Sequence, residues 1–439
     1  MERYAKYKDS GIAWLGEIPE HWKTVALKWL SKIYAGGTPD KNKSEYWLNG
    51  NIPWLNSGTV NQFIITEPSE YISEEGFANS SAKWIEEGSL VMALAGQGKT
   101  KGMTGFVTFR TTCNQSLAVI QPKQIIDGKF LLYFLTRNYF YIRGLAGEGK
   151  RDGLNLEIIG SLYIPLFDLE EQKTIAAFLD RKTAEIDELI AQKERLIALY
   201  EEEKTAIINE AVTKGINPDV KLKPTAIDWL GDIPEHWKVT KANYVSNIFV
   251  PQRNKPQLND TSGIPWLTMD DMSTDRISKT LFKVADKALQ DAGSKVLPKG
   301  SVIASCVGNF GVSAINDIDV IINQQLQAFI PNNQKIISEY LCNIVSISSC
   351  YFEMVATAAT LPYVNQSGFA SIPILLPPLE EQKAIAEYIE KETVRIDAKI
   401  AKTKRIIELQ KEYRTALISE AVTGKIKIPD LTELGRVIN

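Results

Sequence analysis

The chain has 439 residues, of which 44% are hydrophobic and 23% are charged, and its formal net charge is −3. Because a domain holds roughly 150 residues, this length predicts two or three domains. The composition excludes a disordered chain, no apolar run is long enough for a membrane helix, and 50 basic against 53 acidic residues give no overall basic charge for nucleic-acid binding.

The first motif along the chain is a decapeptide that occurs twice. Residues 14–23 are WLGEIPEHWK and residues 229–238 are WLGDIPEHWK, with nine of ten positions identical. The decapeptide is interpreted either as a docking epitope for another protein or as a rigid packing element, because tryptophan and proline bury much area. His21 and His236 have no cysteine or aspartate at a metal-ligand spacing. The residues before the first copy lack the apolar core of a signal peptide, so we expect a cytoplasmic protein.

Residues 24–165 follow, and short β-rich runs such as SLVMALA alternate in them with helical stretches such as GKFLLYFLTRNYF. This alternation predicts a mixed α and β domain. Within it, ALAGQGKT at 93–100 resembles a relaxed phosphate-binding loop. Two glycines and β-branched residues come next, whereas a nucleotide loop must enter a helix. We therefore expect a basic hairpin loop that contacts a phosphate backbone, or a plain turn, rather than a nucleotide site.

Residues 166–214 and 379–423 contain no glycine or proline and predict two long helices. Their openings match closely, as IPLFDLEEQKTIAAFLD at 164–180 and ILLPPLEEQKAIAEYIE at 374–390. In both, LEEQK is interpreted as a helix start, where acidic residues are favoured. Isoleucines and leucines recur every three or four residues, which predicts an antiparallel coiled-coil pair, although Lys193 and Thr403 interrupt the apolar stripe.

The second half repeats the first, because matching segments occur in the same order. NIPWLNSGTV at 51–60 corresponds to GIPWLTMDDM at 263–272, and CNQSLAVIQP at 113–122 corresponds to INQQLQAFIP at 322–331. A repeat this long indicates duplicated domains rather than a solenoid. Residues 1–23 match the segment that follows the first long helix. The second long helix lacks such a segment. The predicted arrangement is therefore circular with pseudo-two-fold symmetry.

The predicted fold class is α+β, with two mixed domains separated by two long helices. The expected boundaries are a scaffold segment at 1–23, a first globular domain at 24–165, a helix with entry motif at 166–238, a second globular domain at 239–375, and a final helix and tail at 376–439. The four cysteines form no Cys-x-x-Cys pair, which favours buried reduced thiols. No methyltransferase, dinucleotide, zinc-protease or nuclease motif is found. The sequence therefore predicts a recognition protein rather than an enzyme.

Two divergent domains, near-identical helices that begin with LEEQK, and the IPEHWK entry motifs together resemble the specificity subunit of type I restriction-modification systems. The resemblance covers essentially the whole chain. It implies that each globular domain is a target recognition domain for one half of a split, asymmetric double-stranded DNA site. It also implies that the paired helices set the spacer and bind the methyltransferase subunits.

Two domains that recognise different sequences need different side chains, so specificity is expected where the halves differ. The candidates are Gln97, Lys99, Thr100, Lys101, Lys150 and Arg151 in the first domain, and Asn309, Phe310, Tyr363 and Gln366 in the second. Asn114-Gln115 and Asn323-Gln324 precede apolar strands in both halves. Their amides either pair with adenine or satisfy turns.

The resemblance implies that S-adenosylmethionine, ATP and magnesium are bound by partner subunits and that none is bound by this chain. The partners expected are DNA, two methyltransferase subunits and, through these, restriction subunits. The charge balance, 14 basic against 12 acidic residues over 24–165 and 10 against 10 over 239–375, predicts modest counter-ion release by this chain alone. The alternatives are a coiled-coil scaffold whose end domains bind proteins, and a phosphate-loop enzyme.

Overall fold

The computed structural model describes residues 2–96, 98–146, 153–259, 262–357 and 360–429. The chain forms two compact units, one of Met1–Gln192 with Arg405–Asn439 and the other of Lys193–Lys404. Each unit therefore contains one globular domain and a stretch of both long helices. No helix in the described ranges is both long enough and apolar enough to cross a membrane.

The two long helices span Leu169–Lys214 and Leu379–Val422, as the sequence predicts. At 1.5 Å per residue, their 46 and 44 residues give rods of nearly 70 Å. Both helices end at a left-handed glycine, Gly215 with φ +77° and Gly424 with φ +69°. Glycine adopts this conformation without a steric penalty, which is why it terminates helices.

Within each unit the two long helices contact each other through ion pairs. In the second unit Lys204 Nζ lies 2.9 Å from Asp397 Oδ2, and Lys399 Nζ lies 5.1 Å from the centre of the Tyr200 ring. Higher numbers on one helix thus face lower numbers on the other, so this stretch of the pair is antiparallel. In the first unit, Arg414 Nε lies 2.9 Å from Asp187 Oδ1.

The predicted apolar stripe is buried over part of each helix, while Ile197 and Ile207 are only half-buried and Tyr413 is exposed. Thr403, which interrupts it, is also buried, and its hydroxyl donates to the carbonyl oxygen of Lys399 at 2.8 Å. The polar group is therefore satisfied inside the seam. The buried apolar residues of the stripe include Ile175, Leu179, Ile186, Ile190, Ile385, Ile389, Ile396, Ile400, Ile407 and Leu417.

The N-terminal segment packs on the end of the second long helix, as the circular order predicts. It forms a hairpin of Tyr7–Asp9 with Glu17–Pro19, which corresponds to Leu222–Pro224 with Asp232–Pro234 in the second unit. The backbone N–H of Lys427 donates to the carbonyl oxygen of Glu2 at 2.8 Å. Residues near the chain start thus form, at the end of the second helix, the hairpin that corresponds to the one after the first helix.

The first globular domain is closed at its base by an antiparallel pair, Lys23–Ala26 with Tyr163–Leu166. Among its described residues, a five-stranded sheet has the order Ser31–Ala35, Leu117–Pro122, Leu90–Ala93, Thr104–Val107, Ile64–Ile65. A three-stranded sheet has the order Thr112–Cys113, Ile52–Leu55, Glu70–Ile72. The α-helices are Leu27–Leu30, Glu74–Ala78, Gly128–Arg137, Tyr139–Gly144 and Leu156–Gly160, with 3-10 turns at Ser44–Tyr46 and Ser57–Asn61.

The second globular domain repeats this plan and is closed by Lys238–Lys241 with Pro373–Leu376. In its described residues the five-stranded sheet has the order Ser246–Phe249, Leu326–Pro331, Val302–Ser305, Ser313–Asn316, Arg276–Ile277. The other sheet has four strands, Leu258–Asn259, Phe282–Val284, Ile264–Leu267 and Ile321–Ile322. The α-helices are Ala242–Val245, Asp286–Ala292, Ser338–Ile347, Ser349–Val355 and Gln366–Ser371, with a 3-10 turn at Met269–Asp271.

The cysteines lie in the globular domains as free thiols. Burial is confirmed for Cys113, Cys306 and Cys342, but the prediction is wrong for Cys350, which is exposed near the start of the helix Ser349–Val355. Its counterpart in the first domain is Phe140, which is also exposed. The position is on the outer face of that helix in both domains.

Candidate nucleic-acid interface

The repeated decapeptide and the repeated LEEQK motif bind each other. Trp22 is fully buried and stacks on Phe167, with ring centres 3.8 Å apart. Its indole Nε1 donates to Glu171 Oε1 at 3.3 Å, and His21 Nε2 lies 3.0 Å from Glu171 Oε2. A single carboxylate therefore fixes both side chains, and the packing interpretation of the decapeptide is confirmed at this tryptophan.

The second unit repeats the contacts of the tryptophan and histidine with a glutamate, with Pro377 in place of Phe167, and we call these contacts the entry clamp in both units. Trp237 Nε1 donates to Glu381 Oε1 at 3.1 Å, and His236 Nε2 lies 2.8 Å from Glu381 Oε2. Both histidines of the chain thus have the same structural role. The entry clamp attaches each globular domain to the start of a long helix.

The glutamine of LEEQK was not predicted to have a role beyond the helix start. Gln172 is fully buried, its Oε1 accepts the N–H of Asp127 at 2.8 Å, and its Nε2 donates to the carbonyl oxygens of Phe167 and Ile125. Gln382 makes the equivalent three bonds in the second unit. The signal that could have revealed this role is the joint repetition of LEEQK and IPEHWK.

In the first domain the glycine-rich segment joins two antiparallel strands, Leu90–Ala93 and Thr104–Val107. The expected hairpin is therefore confirmed. The alternative of a nucleotide-binding phosphate loop is wrong, because such a loop requires a helix at this point. Lys99 is exposed, whereas Thr100 and Lys101 are half-buried. Gln97 lies outside the described residues.

Asn114 and Gln115 lie beside this loop, because the N–H of Leu94 donates to the carbonyl oxygen of Ser116 at 2.9 Å. Asn114 Oδ1 accepts the N–H of Ser116 at 3.1 Å, which forms a local turn. Gln115 is exposed, and its Oε1 accepts the hydroxyl of Thr38. The asparagine thus satisfies a turn, and the glutamine is the member of the pair that remains available at the surface.

Lys150 and Arg151, the other two recognition candidates of the first domain, lie outside the described residues. Leu154, which follows them, donates its N–H to the carbonyl oxygen of Leu94 at 2.8 Å. The segments around 36–38, 94–102, 114–116 and 154 therefore meet at one end of the five-stranded sheet. We call this the loop end of the domain.

The second domain has a loop end at the same edge of its sheet. Asn323 forms the same turn as Asn114, since its Oδ1 accepts the N–H of Gln325 at 3.1 Å. Gln324 is exposed, and its Nε2 donates to the carbonyl oxygens of Gln252 and Arg253. Both asparagines therefore have a turn-forming role, in agreement with the alternative that these amides satisfy turns.

Asn309 and Tyr363 are brought together at this loop end. The N–H of Gly308 donates to the carbonyl oxygen of Pro362 at 3.0 Å, and Asn309 is exposed next to it. The Tyr363 hydroxyl accepts from Gln327 Nε2 at 3.3 Å. Burial raises the pKa of Tyr363, so its own proton stays in place as a hydrogen-bond donor at neutral pH.

The remaining two candidates of the second domain are Phe310 and Gln366. Phe310 is half-buried and packs against Phe352, with ring centres 6.1 Å apart. Gln366 is exposed as the first residue of the helix Gln366–Ser371. Phe310 is therefore mainly a packing residue, whereas Gln366 is accessible.

Sequence reasoning missed Arg253 at the loop end of the second domain. Arg253 is exposed, and its charge is close enough to Tyr363 to lower the pKa of that phenol, against the larger effect of burial. Its counterpart in the first domain is Thr38, so the repeat gave no indication of a basic residue. Among the described residues, no cluster of three or more histidine, cysteine or acidic side chains that could hold a metal ion occurs.

Comparison with known proteins identifies relatives along most of the chain. The profile of the type I restriction modification DNA specificity domain matches residues 19–198 and 234–410. The specificity subunit of the MjaVIII type I restriction enzyme of Methanocaldococcus jannaschii is 24% identical over 94% of this chain and 95% of its own. The specificity subunit of EcoR124I/EcoR124II from Escherichia coli is 28% identical over 41% of this chain and 45% of its own.

Two solved structures share the fold. One is a chain from a study of complex assembly and conformational transition in a type I R-M system, with a TM-score of 0.73, 18% identity and coverage of 93% of this chain and 99% of the other. The second is the HsdS subunit from Thermoanaerobacter tengcongensis, with a TM-score of 0.58, 17% identity and coverage of 93% and 98%. At these identities the likeness concerns the fold.

Proposed function

The chain belongs to the type I restriction modification DNA specificity family, and from this premise we propose that each loop end recognises one half of a split DNA site. The observation that carries the proposal is the distribution of repeated and divergent residues. The entry clamps and glutamine contacts are the same in both units, whereas the loop ends differ in length, charge and side chains. A constant scaffold with two different loop ends fits an asymmetric, bipartite sequence.

The paired long helices keep the two half-sites at a fixed spacing in this proposal. Their ion pairs and buried stripe give each unit a rigid helical base on which its domain is clamped. The helices do not contribute to base recognition in this proposal. Their only effect on the DNA site is the length of the spacer. The domain exchange described in the Discussion tests this part, since it leaves the helices untouched.

In this proposal the chain catalyses no reaction itself, and partner subunits catalyse methylation and cleavage of the DNA. Two methyltransferase subunits carry S-adenosylmethionine, and restriction subunits joined through them use ATP and magnesium. The near-neutral charge of both domains supports this division, because a chain with few surplus cations needs partners for phosphate-backbone affinity. The coiled-coil scaffold with protein-binding ends is disfavoured, since the family match covers both globular domains.

Methylation mapping tests the proposed function. The chain is produced with and without its partner methyltransferase subunits, supplied with S-adenosylmethionine and random-sequence DNA, and methylated positions are sequenced. We expect methylation only in the full complex, at a site with two specified half-sites and a gap of constant length. Methylation by the chain alone, or by the partners alone at the same site, would refute the proposal.

Replacing Lys99 and Lys101 together with alanine is expected to weaken DNA binding and flatten its salt dependence. Each phosphate contact contributes about 0.9 to the slope of log K against log salt, so the slope falls by up to about two. Fluorescence anisotropy of the full complex across a salt series measures this. The control replaces Lys6 and Lys8, exposed lysines of the N-terminal hairpin, which should leave the slope unchanged. An unchanged slope in the Lys99 and Lys101 variant would show that this loop does not face DNA.

A further inference from the structure

The loop of the first domain that carries Lys99 and Lys101 is held by side chains of the short helix Tyr139–Gly144. Arg143 Nη2 donates to the carbonyl oxygen of Gly98 at 2.5 Å, and Arg143 Nη1 donates to that of Lys101 at 3.3 Å. The hydroxyl of Tyr139 donates to the carbonyl oxygen of Lys99 at 2.5 Å. Three carbonyls of one loop are thus fixed by two side chains.

The loop needs such support because its own backbone is permissive. Gly96, Gly98 and Gly102 all have positive φ, at +154°, +71° and +86°. Glycines at these positions allow the turn but leave many alternative conformations open when nothing holds them. The planar guanidinium of Arg143 presents a rigid fork of donors, so it fixes Gly98 and Lys101 relative to each other.

The second domain shows that this support is not a requirement of the fold. Its equivalent helix Ser349–Val355 carries Ser349 and Glu353 at the positions of Tyr139 and Arg143. Its loop between the matching strands runs only from 306 to 312, against 94 to 103 in the first domain. The same five-stranded order forms without the arginine and tyrosine.

Within the described residues, Arg143 has no hydrogen-bond partner outside this loop and Tyr139. Within the described ranges no carboxylate forms an ion pair with it, and its other hydrogen bond joins Nη1 to the Tyr139 hydroxyl at 3.3 Å. Its hydrogen bonds are therefore directed to the loop and to the tyrosine that shares the task. An arginine whose partners are loop carbonyls determines the shape of that loop.

We propose that Arg143 and Tyr139 are positioning residues that determine which half-site the first domain recognises, a proposal that rests on the function proposed above. They act through the Gly98–Lys101 segment rather than by contact with bases. Direct recognition depends on side chains placed to a fraction of an ångström, so a loosened loop recognises several bases almost equally well. The second half-site does not depend on this pair.

The test measures base discrimination separately in the two half-sites. The full complex methylates two DNA pools, one with single-base changes in the first half-site and one with changes in the second. The discrimination ratio is the methylation rate of the intact site divided by that of each changed site. The variants are Arg143→Lys, Arg143→Gln and Tyr139→Phe, and the matched control is Glu353→Gln, at the equivalent position of the second domain.

We expect both Arg143 variants to lower the discrimination ratio about tenfold at one or more positions of the first half-site. The ratio in the second half-site should stay within about twofold of wild type, and Glu353→Gln should change neither. Arg143→Lys keeps the charge but lacks the planar fork, so wild-type discrimination in this variant would overturn the proposal in favour of a charge effect. Equal losses in both half-sites would also overturn it. A wild-type complex without preference in either half-site would instead refute the proposed function.

Discussion

Replacing Trp22 with alanine is expected to lower the free energy of unfolding of the first unit by about 3–5 kcal/mol. The indole is fully buried, stacks on Phe167, and also packs edge-on against Phe130 with ring centres 6.5 Å apart. Its removal leaves a cavity and also deprives Glu171 of a hydrogen bond. Denaturant unfolding followed by far-ultraviolet circular dichroism measures the change.

Trp29 provides the control for this prediction because the residue is 65% exposed. Trp29→Ala should change the free energy of unfolding by less than about 0.5 kcal/mol. Trp237→Ala, in the equivalent clamp, should also cost about 3–5 kcal/mol, because Trp237 is fully buried as well. A small loss for Trp22→Ala, similar to that of Trp29→Ala, would mean that the entry clamp does not anchor the domain.

Replacing Gln172 with alanine is expected to cost about 2–4 kcal/mol, although the residue carries no charge. The substitution leaves the N–H of Asp127 and the carbonyl oxygens of Phe167 and Ile125 without their partner, and each buried unpaired group costs about 1–3 kcal/mol. The same unfolding measurement applies, and Gln382→Ala should behave alike.

Glu170 lies two residues earlier on the same helix and serves as the matched control. Its side chain is 78% exposed, and its ion pair with Lys173 is at the surface, where such pairs contribute little. Glu170→Ala should therefore change the stability by less than about 0.5 kcal/mol. Equal effects of the Gln172 and Glu170 variants would show that LEEQK is only a helix start.

The scaffold could be predicted from the sequence because repetition and periodicity are local signals. The stripe of Ile175, Leu179 and Ile186 recurs at helical spacing, and the glycine after each helix marks its end. Repetition of residues 14–23 also predicted that the chain start completes the scaffold. Each of these features appears in a short window of residues or in two copies.

The contacts that hold the loop ends could not be predicted. The bonds from Arg143 to Gly98 and from Gln327 to Tyr363 join residues that are distant along the chain and absent from the other copy. Neither periodicity nor repetition marks such a pair. Arg253 was missed for the same reason, since Thr38 occupies its place in the first domain. Divergence between the two halves predicts where recognition occurs, but it does not predict which side chains are brought together.

The two ends of each globular domain meet as an antiparallel pair, which makes an exchange of domains geometrically simple. Lys23–Ala26 pairs with Tyr163–Leu166, and Lys238–Lys241 pairs with Pro373–Leu376. Each pair consists of four residues on each strand. Residues 24–165 can therefore replace 239–375 with both ends entering and leaving through an equivalent strand pair. The long helices and entry clamps remain those of the wild-type chain.

Methylation mapping with this exchanged chain, in complex with its partner subunits, tests the central claim most directly. We predict a symmetric site, in which the first half-site occurs twice in inverted orientation and the gap keeps its wild-type length. Retention of the original second half-site, or loss of the constant gap while both half-sites persist, would contradict it.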